Sequence, residues 1–307
     1  FVFVILKMDK SKNHIVPRIG LGTYNMNSQE ADDMTYAAIK YGYRHIDTAA
    51  VYRNEDGVGR ALKRIYEDTD LKRSDLTITT KLWPGGLVKV DRVKNNVGAI
   101  KSLDKSLRNL DDDYVDLYLI HSPHAKNKRL EQWETLITQQ EQGKVKNIGV
   151  SNWGINHIEE LNDKGYPLPS ANQIEIHPWS QKPELVSYLK ENDIDIIAYS
   201  SLVPLSTWRH KDGENSLKTD EMYKDGNDLE SPFKKMASKY DVTEAQVLLK
   251  WALQLGYAIL PKSIQIDRMQ ANFELDFIID EDDMKLIEQL DRGDSVTWEY
   301  GDPLAVQ

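Results

Sequence analysis

The stretch "YRHIDTAAVY", residues 43–52, holds the decision about this chain's fold. Arg44, His45 and Ile46 read as a short buried strand. Asp47 follows at once, and a phenol, Tyr52, comes five residues later. A strand that runs into the middle of a fold and finishes with a carboxylate and a hydroxyl needs an architecture in which strand ends are useful.

Working outward, short apolar runs alternate with longer amphipathic ones. The expected strands are "RIGLGTY" (18–24), "YRHIDT" (43–48), "LTITTKLW" (76–83), "YVDLYLIHS" (114–122), "KNIGVSN" (146–152), "ANQIEIH" (171–177), "IDIIAYS" (194–200) and "AILPKS" (258–263). Between them, Ala31, Met34, Ala37, Ala38 and Tyr41 share a helical face. So do Val93, Val97, Ile100, Leu103, Leu107 and Leu110. "EQWETLITQQEQGK" (131–144) meets a helix stop at Gly143. Residues 231–257 read as two successive helices, the second capped by Thr243 with Gln246 three positions on. Glu55 and Asp56 read as a helix N-terminus, where acids complement the dipole.

Eight strands alternating with helices in 307 residues predict an α/β fold, a (β/α)8 TIM barrel. An N-terminal β-hairpin and extra helices after strand 7 and at the C-terminus are expected, all within a single domain over 1–307. The rival is a doubly wound sheet. Gly20-Leu21-Gly22-Thr23 suggests a dinucleotide fingerprint, but the third glycine is missing and no helix opens at residues 24–27.

Composition narrows the classes. The net charge is -10 and there is no cysteine. Disulfides and thiolate metal sites are excluded, and a reducing, cytoplasmic setting is expected. No basic stripe marks a nucleic-acid groove, and no apolar run approaches the roughly 20 residues of a membrane span. The opening "FVFVILKM" lacks the flanks of a signal sequence and reads as a strand of the hairpin.

In such a barrel, chemistry sits at the carboxyl ends of the strands. Those ends present Thr23 and Tyr24, Asp47, Lys81, His121, Ser151 and Asn152, Gln173, Tyr199, Lys262 and Ser263. Asp47, Tyr52, Lys81 and His121 can exchange or polarise protons. Singly each has an ordinary explanation: Asp47 a cap or an Arg44 partner, Tyr52 a half-buried aromatic, Lys81 a rim lysine on any acid, His121 a donor to a carbonyl. Their joint occurrence on one rim favours function.

The ordered segments "GLGTY", "YRHIDTAAVYRNE", "TTKLW", "YVDLYLIHSP", "KNIGVSNW", "NQIEIHP", "AYS" and "LPKS…DR…AN" resemble the signatures of the aldo-keto reductase superfamily. They span about residues 13–300. The tail "TWEYGDP" (297–303) is most similar to small fungal reductases of aldehydes, keto esters and pentoses.

This resemblance implies NADPH-dependent hydride transfer to a small carbonyl compound, with the protein supplying a proton and stabilising the developing alkoxide. Tyr52 is then the proton donor, with Lys81 expected to lower its pKa, Asp47 keeping the lysine charged, and His121 orienting the carbonyl. Carried over residue by residue, Tyr199 stacks on the nicotinamide and Ser151, Asn152 and Gln173 bond its carboxamide. Thr23 and Asp47 lie along the ribose, and Ser200 and Leu202 along the pyrophosphate. Lys262, Ser263 and Arg268 suit a 2'-phosphate, with Asn272 closing the site; NADPH is therefore expected over NADH. Tyr24, Trp83, His121 and Trp298 resemble the aromatic substrate pocket.

Two departures stand out. Ala271 precedes Asn272 where relatives often carry Glu, and "SSLVPL" (200–205) lacks a glycine-serine pair. These touch the adenine contacts and the pyrophosphate loop. His121 and His124 are spaced three apart, but without further ligands they predict no metal, and His177 reads as structural. A monomer is expected, with a dimer as the alternative. The competing function is a redox-sensing, weakly catalytic NADPH-binding subunit on the same fold.

Overall fold

A computed structural model of the chain describes residues 14–88, 90–205, 230–293, 297–298 and 301–307. Its strands are β1 (Leu21–Gly22), β2 (His45–Asp47), β3 (Thr77–Leu82), β4 (Val115–Ile120), β5 (Val145–Ser151), β6 (Ala171–Glu175), β7 (Asp195–Tyr199) and β8 (Ala258–Ile259). All neighbours pair parallel, in chain order. Each expected strand is found, shortened most at β1 and β8. The sheet closes on itself through a parallel bridge between Ile19 and Ile259, held by Ile259 N–H to Arg18 O (2.8 Å) and Gly20 N–H to Ile259 O (2.9 Å). The barrel expectation is met, and closure leaves the strands no free edge.

The connections are helical: α1 (Ser28–Tyr41), α2 (Glu55–Asp68), α3 (Asn96–Leu110), α4 (Arg129–Glu141), α5 (Ile155–Asn162) and α6 (Pro183–Glu191). Asn27 and Glu30 form a capping box that starts α1, and Thr243 and Gln246 form another ahead of the helix Glu244–Gln254. The α3 reading needs correction. The helix begins at Asn96, so Val93 lies before it, and Val97 remains half exposed. The buried stripe is Ala99, Leu103, Ser106, Leu107 and Leu110.

The expected hairpin falls on residues 1–13, outside the described residues, as does 206–229 after β7. Beyond that gap come helices Pro232–Tyr240, Glu244–Gln254, Ile266–Ala271 and Glu281–Glu288, and a 3-10 turn at Pro303–Ala305. Among the described residues no helix is long and apolar enough to cross a membrane.

Side chains alternate along each strand and so divide into two cores. Tyr118 and Ile120 of β4 join the large apolar layer between sheet and helices. Leu117 and Leu119 point inward and meet Val16, Ala171, Ile197, Ala258 and Leu260 inside the barrel. The register carries this phase across strands: Asp47 pairs with Thr79, and Lys81 with Leu119. Asp47 and Lys81 therefore share the interior face, with Lys81 two residues nearer the carboxyl-end mouth than Thr79.

The first two helices pack almost backbone to backbone. A Cβ on Gly57 would lie 2.0 Å from Ser28 O and 3.1 Å from Ala31 Cβ. Gly57→Ala should therefore cost about 1–3 kcal/mol through overpacking, lowering the urea midpoint. Gly98→Ala, whose new methyl would meet only flexible side-chain atoms at 3.3 Å and beyond, should shift it much less. Equal shifts would refute the close-packing argument.

Candidate active site

Lys81 is wholly buried, and Asp47 nearly so. An ammonium in that position survives only if its three N–H donors are matched. They are: Nζ donates to Asp47 Oδ1 at 2.5 Å, Thr48 O at 2.9 Å and Tyr52 Oη at 3.4 Å. The other Asp47 oxygen accepts from Gln173 Nε2 at 2.7 Å. Arg44, the alternative partner for Asp47, instead donates to the carbonyls of Ile39 and Tyr43.

Tyr52 reaches this cluster through a short 3-10 turn, Ala50–Tyr52, after which Arg53 takes a left-handed conformation (φ 58°) and α2 begins. Asn54 fastens the turn. Its amide donates to Thr23 O and Met26 O, and its carbonyl accepts from Thr48 Oγ1. The Tyr52 ring lies 5.6 Å from the His121 ring, edge to face, and 5.1 Å from Tyr24. All four proton-handling candidates thus meet at one mouth.

Electrostatics there departs from the expectation in one respect. Tyr52 is held well above the ordinary phenol range, first by burial, then by the Asp47 carboxylate and the neighbouring Tyr199 and Tyr24. The Lys81 ammonium beside it, itself paired with Asp47, does not outweigh these effects. Burial also lowers Lys81 itself, against the opposing pull of Asp47. His121 is pushed well below the usual imidazole range by burial and then by Lys81. Its Nδ1 is buried and has no hydrogen-bond partner among the described residues, so a second ring proton would have no acceptor there. Tyr52 is a neutral donor here and His121 a neutral imidazole.

A second group of residues interlocks beside the first. Ser151 Oγ donates to Gln173 O (2.8 Å), and Asn152 Nδ2 donates to His121 O (3.0 Å) and Ser151 Oγ (2.9 Å). Tyr199 Oη donates to Asn152 Oδ1 (2.6 Å) and accepts from Trp298 Nε1 (2.9 Å). Asn152 and Ser200 take positive φ, 63° and 57°, turning the chain at the ends of β5 and β7. Thr23 is buried, its hydroxyl directed at Asp47 O.

The aromatic residues line the same opening. Trp83 meets His121 edge to face at 5.6 Å and lies nearly parallel to Trp298 at 6.5 Å. Tyr24 is half exposed.

On the β8 side, Lys262 and Arg268 are exposed, and among the described residues neither forms an ion pair. Ser263 Oγ instead closes a local turn with Gln265, and Asn272 is buried. Among the described residues no hydrogen bond or ion pair joins Lys262 or Arg268 to the proton-handling group. Leu202 is half-buried after β7.

Among the described residues no set of His, Asp or Glu could hold a metal. His124 bonds Ser122, and His177 bonds the Glu175 carboxylate at 3.0 Å. Sequence reading passed over Asn54, Asp91 and Glu175. Only the position of Asn54 directly after the Tyr52 turn could have signalled any of them.

Chemically, the arrangement offers a neutral acid and a neutral hydrogen-bonding imidazole side by side, beside two amides and an aromatic face suited to a planar carboxamide. Lys262 and Arg268, which form no ion pair among the described residues, suit a phosphate. A dinucleotide therefore fits the residues present.

The model described as "Aldo/keto reductase family" matches residues 18–292. The chain is 36% identical to the methylglyoxal reductase of Yersinia pestis over 281 residues, 91% of this chain and 90% of that one. It is 34% identical to an aldehyde reductase of Saccharomyces cerevisiae, covering 90% and 88% of the two chains. It superposes on the Bombyx mori aldo-keto reductase, solved in complex with NADP, with a TM-score of 0.79 at 29% identity, covering 91% of each chain.

A depressed His121 has a sign-definite consequence. Below the unfolded pKa of about 6.5, the unfolded chain binds a proton that the folded state refuses, so stability falls as pH drops through that value. His121→Asn should flatten the slope of unfolding free energy against pH just below 6.5 by up to about 1.4 kcal/mol per pH unit. An unchanged slope in urea titrations at several pH values would show that His121 titrates normally.

Proposed function

The chain belongs to the aldo/keto reductase family, and from that premise we propose that it is an NADPH-dependent carbonyl reductase. Its substrates are small aldehydes, ketones or keto esters, pentoses included. The observation that carries this reading is the buried lysine whose donors reach Asp47, Thr48 and Tyr52, with Tyr52 against His121. The methylglyoxal and aldehyde reductases among the relatives support a small carbonyl substrate.

Reduced nicotinamide dinucleotide, when bound, supplies a hydride. The chain's own residues must grip the carbonyl oxygen and protonate it. Because Lys81 donates to Tyr52 Oη, the phenol's own hydrogen is free for the substrate. Tyr52 is the acid, and its proton passes to the oxygen that becomes an alkoxide, a much stronger base than a phenolate. The ammonium 3.4 Å away then stabilises the phenolate left behind, and Asp47 keeps that ammonium charged and aimed. His121, neutral and with Nδ1 buried, offers Nε2 to hydrogen-bond and orient the carbonyl. Tyr24, Trp83 and Trp298 form the apolar wall.

For the cofactor we assign Tyr199 to the nicotinamide ring and Ser151, Asn152 and Gln173 to its carboxamide. Thr23 and Asp47 take the ribose, and Ser200 and Leu202 the pyrophosphate. Lys262, Ser263 and Arg268 take the 2'-phosphate, with Asn272 beside them. The lack of ion pairs on the two cations among the described residues supports NADPH, as does the NADP complex of the silkworm relative. The cysteine-free composition supports a cytoplasmic setting, and we take the protein as a single-domain monomer.

Tyr52→Phe should lower kcat by roughly 10² to 10⁴ while NADPH affinity, read by fluorescence titration, stays near wild type. Near-normal turnover would sink the assignment of the acid. Wild-type protein that binds NADPH tightly but turns over no aldehyde, keto ester or pentose would favour the sensor reading.

Replacing Lys262 and Arg268 together by Gln removes the charge proposed to meet the 2'-phosphate. The KM for NADPH should rise by at least about tenfold, as expected for lost charge-assisted bonds, while that for NADH changes little. A parallel rise for both cofactors would place the two cations elsewhere.

A further inference from the structure

The loop that follows β3 does more than connect it to α3. Trp83 opens it, and Gly85 and Gly86 turn it back with φ of 81° and 88°. A Cβ on Gly86 would strike His124 O at 2.5 Å, so the loop lies tightly on the segment after β4. Eight residues past Trp83, the Asp91 carboxylate accepts from the indole Nε1 at 2.9 Å and from Leu87 N–H at 3.3 Å. Its backbone closes the same turn, through Gly86 N–H to Asp91 O and Asp91 N–H to Val88 O. The far end is fixed separately. Lys94 Nζ donates to Trp83 O at 2.6 Å, and Gln132 Nε2 bonds Pro84 O and Lys94 O.

Trp83 is therefore held at its carbonyl by Lys94 and at its ring by Asp91. The backbone bonds fix where the residue sits, and the bond to Asp91 Oδ2 fixes which way the indole N–H faces. That facing places Trp83 edge to face on His121 and nearly parallel to Trp298. An indole deprived of its acceptor would turn to find another, because a half-buried N–H requires a partner.

We propose that Asp91 is a positioning and specificity-determining residue, which locks the Trp83 indole as the wall that reads the substituent on the substrate carbonyl. The inference rests on the reading of this site as a carbonyl reductase. The lock discriminates by substituent shape: a bulky aromatic group is packed against the indole, whereas a group as small as acetyl barely touches it.

The test uses the full chain with Asp91→Ala, Asp91→Asn, Trp83→Phe and the Asp91→Ala/Trp83→Phe double variant. Steady-state kinetics with NADPH are measured on methylglyoxal and on 4-nitrobenzaldehyde. Asp91→Ala should change the ratio of kcat/KM between the two aldehydes by about tenfold, mainly through the KM of the aromatic one. Asp91→Asn keeps a carbonyl acceptor and should retain the wild-type ratio. In the Trp83→Phe background, removing Asp91 should shift the ratio no further. NADPH affinity should be unchanged throughout.

An unaltered ratio in Asp91→Ala, full effects of both substitutions in the double variant, or equal losses for both aldehydes and NADPH would each overturn the proposal. Failure of the underlying reading shows differently, as wild-type protein inactive on every carbonyl. The lock itself is then read without turnover. The tryptophan emission lost on Trp83→Phe should shift in Asp91→Ala and not in Asp91→Asn, and its constancy in both would overturn the lock.

Discussion

A fully buried ammonium is the constraint on which the rest of the structure depends. Without partners, Lys81 would lose its hydration and recover nothing, so it would either shed its proton or unfold the mouth of the barrel. Asp47 supplies the opposite charge and the Thr48 carbonyl a second acceptor, which leaves one N–H to point at Tyr52. Removing either member of such a pair costs more than the pair contributes, because the survivor is then an uncompensated interior charge. The geometry around Tyr52 is thus maintained by the penalty for breaking it as much as by direct attraction.

The barrel makes this possible through its period of two. Asp47 on β2 and Lys81 on β3 fall on the interior phase of their strands, in register with Thr79 and Leu119. Below them the same phase is filled by Leu117, Ala171, Ile197 and Ala258, which keep water out of the barrel and strengthen every interaction above. A shift of one residue in either strand would send the charge into the apolar helix layer.

Much of this was legible in the sequence because it rests on local pattern. The eight strands are apolar runs bounded by turn residues, and their carboxyl ends carried Asp47, Lys81 and His121 in plain view. The start of α3 was not legible, because Val93 continues the helical spacing into a loop that Gly85 and Gly86 fold separately. Nor was the sense of the Tyr52 perturbation. Burial and the net charge of a lysine already matched to Asp47 are properties of three-dimensional packing, and spacing does not encode them. Asn54 and Asp91 act through hydrogen bonds to particular atoms, Thr23 O and Trp83 Nε1. Apart from the place of Asn54 just after the Tyr52 turn, no residue type or interval announces such a bond.

The second group of rim residues shows why the site behaves as one object. From Trp298 the hydrogen bonds run to Tyr199 and Asn152, then to Ser151, Gln173, Asp47, Lys81 and Tyr52. At its outer end, Thr297 is tied to Glu175, which also accepts from His177. Each residue in this series satisfies a polar atom of the next, so a single substitution orphans a neighbour as well as removing its own contact. That couples two tasks that chemistry could have kept apart. Gln173, one of the amides proposed to grip a planar carboxamide, also braces the carboxylate that holds the lysine. The orientation of the phenol and the shape of the proposed cofactor cradle are therefore set by the same bonds.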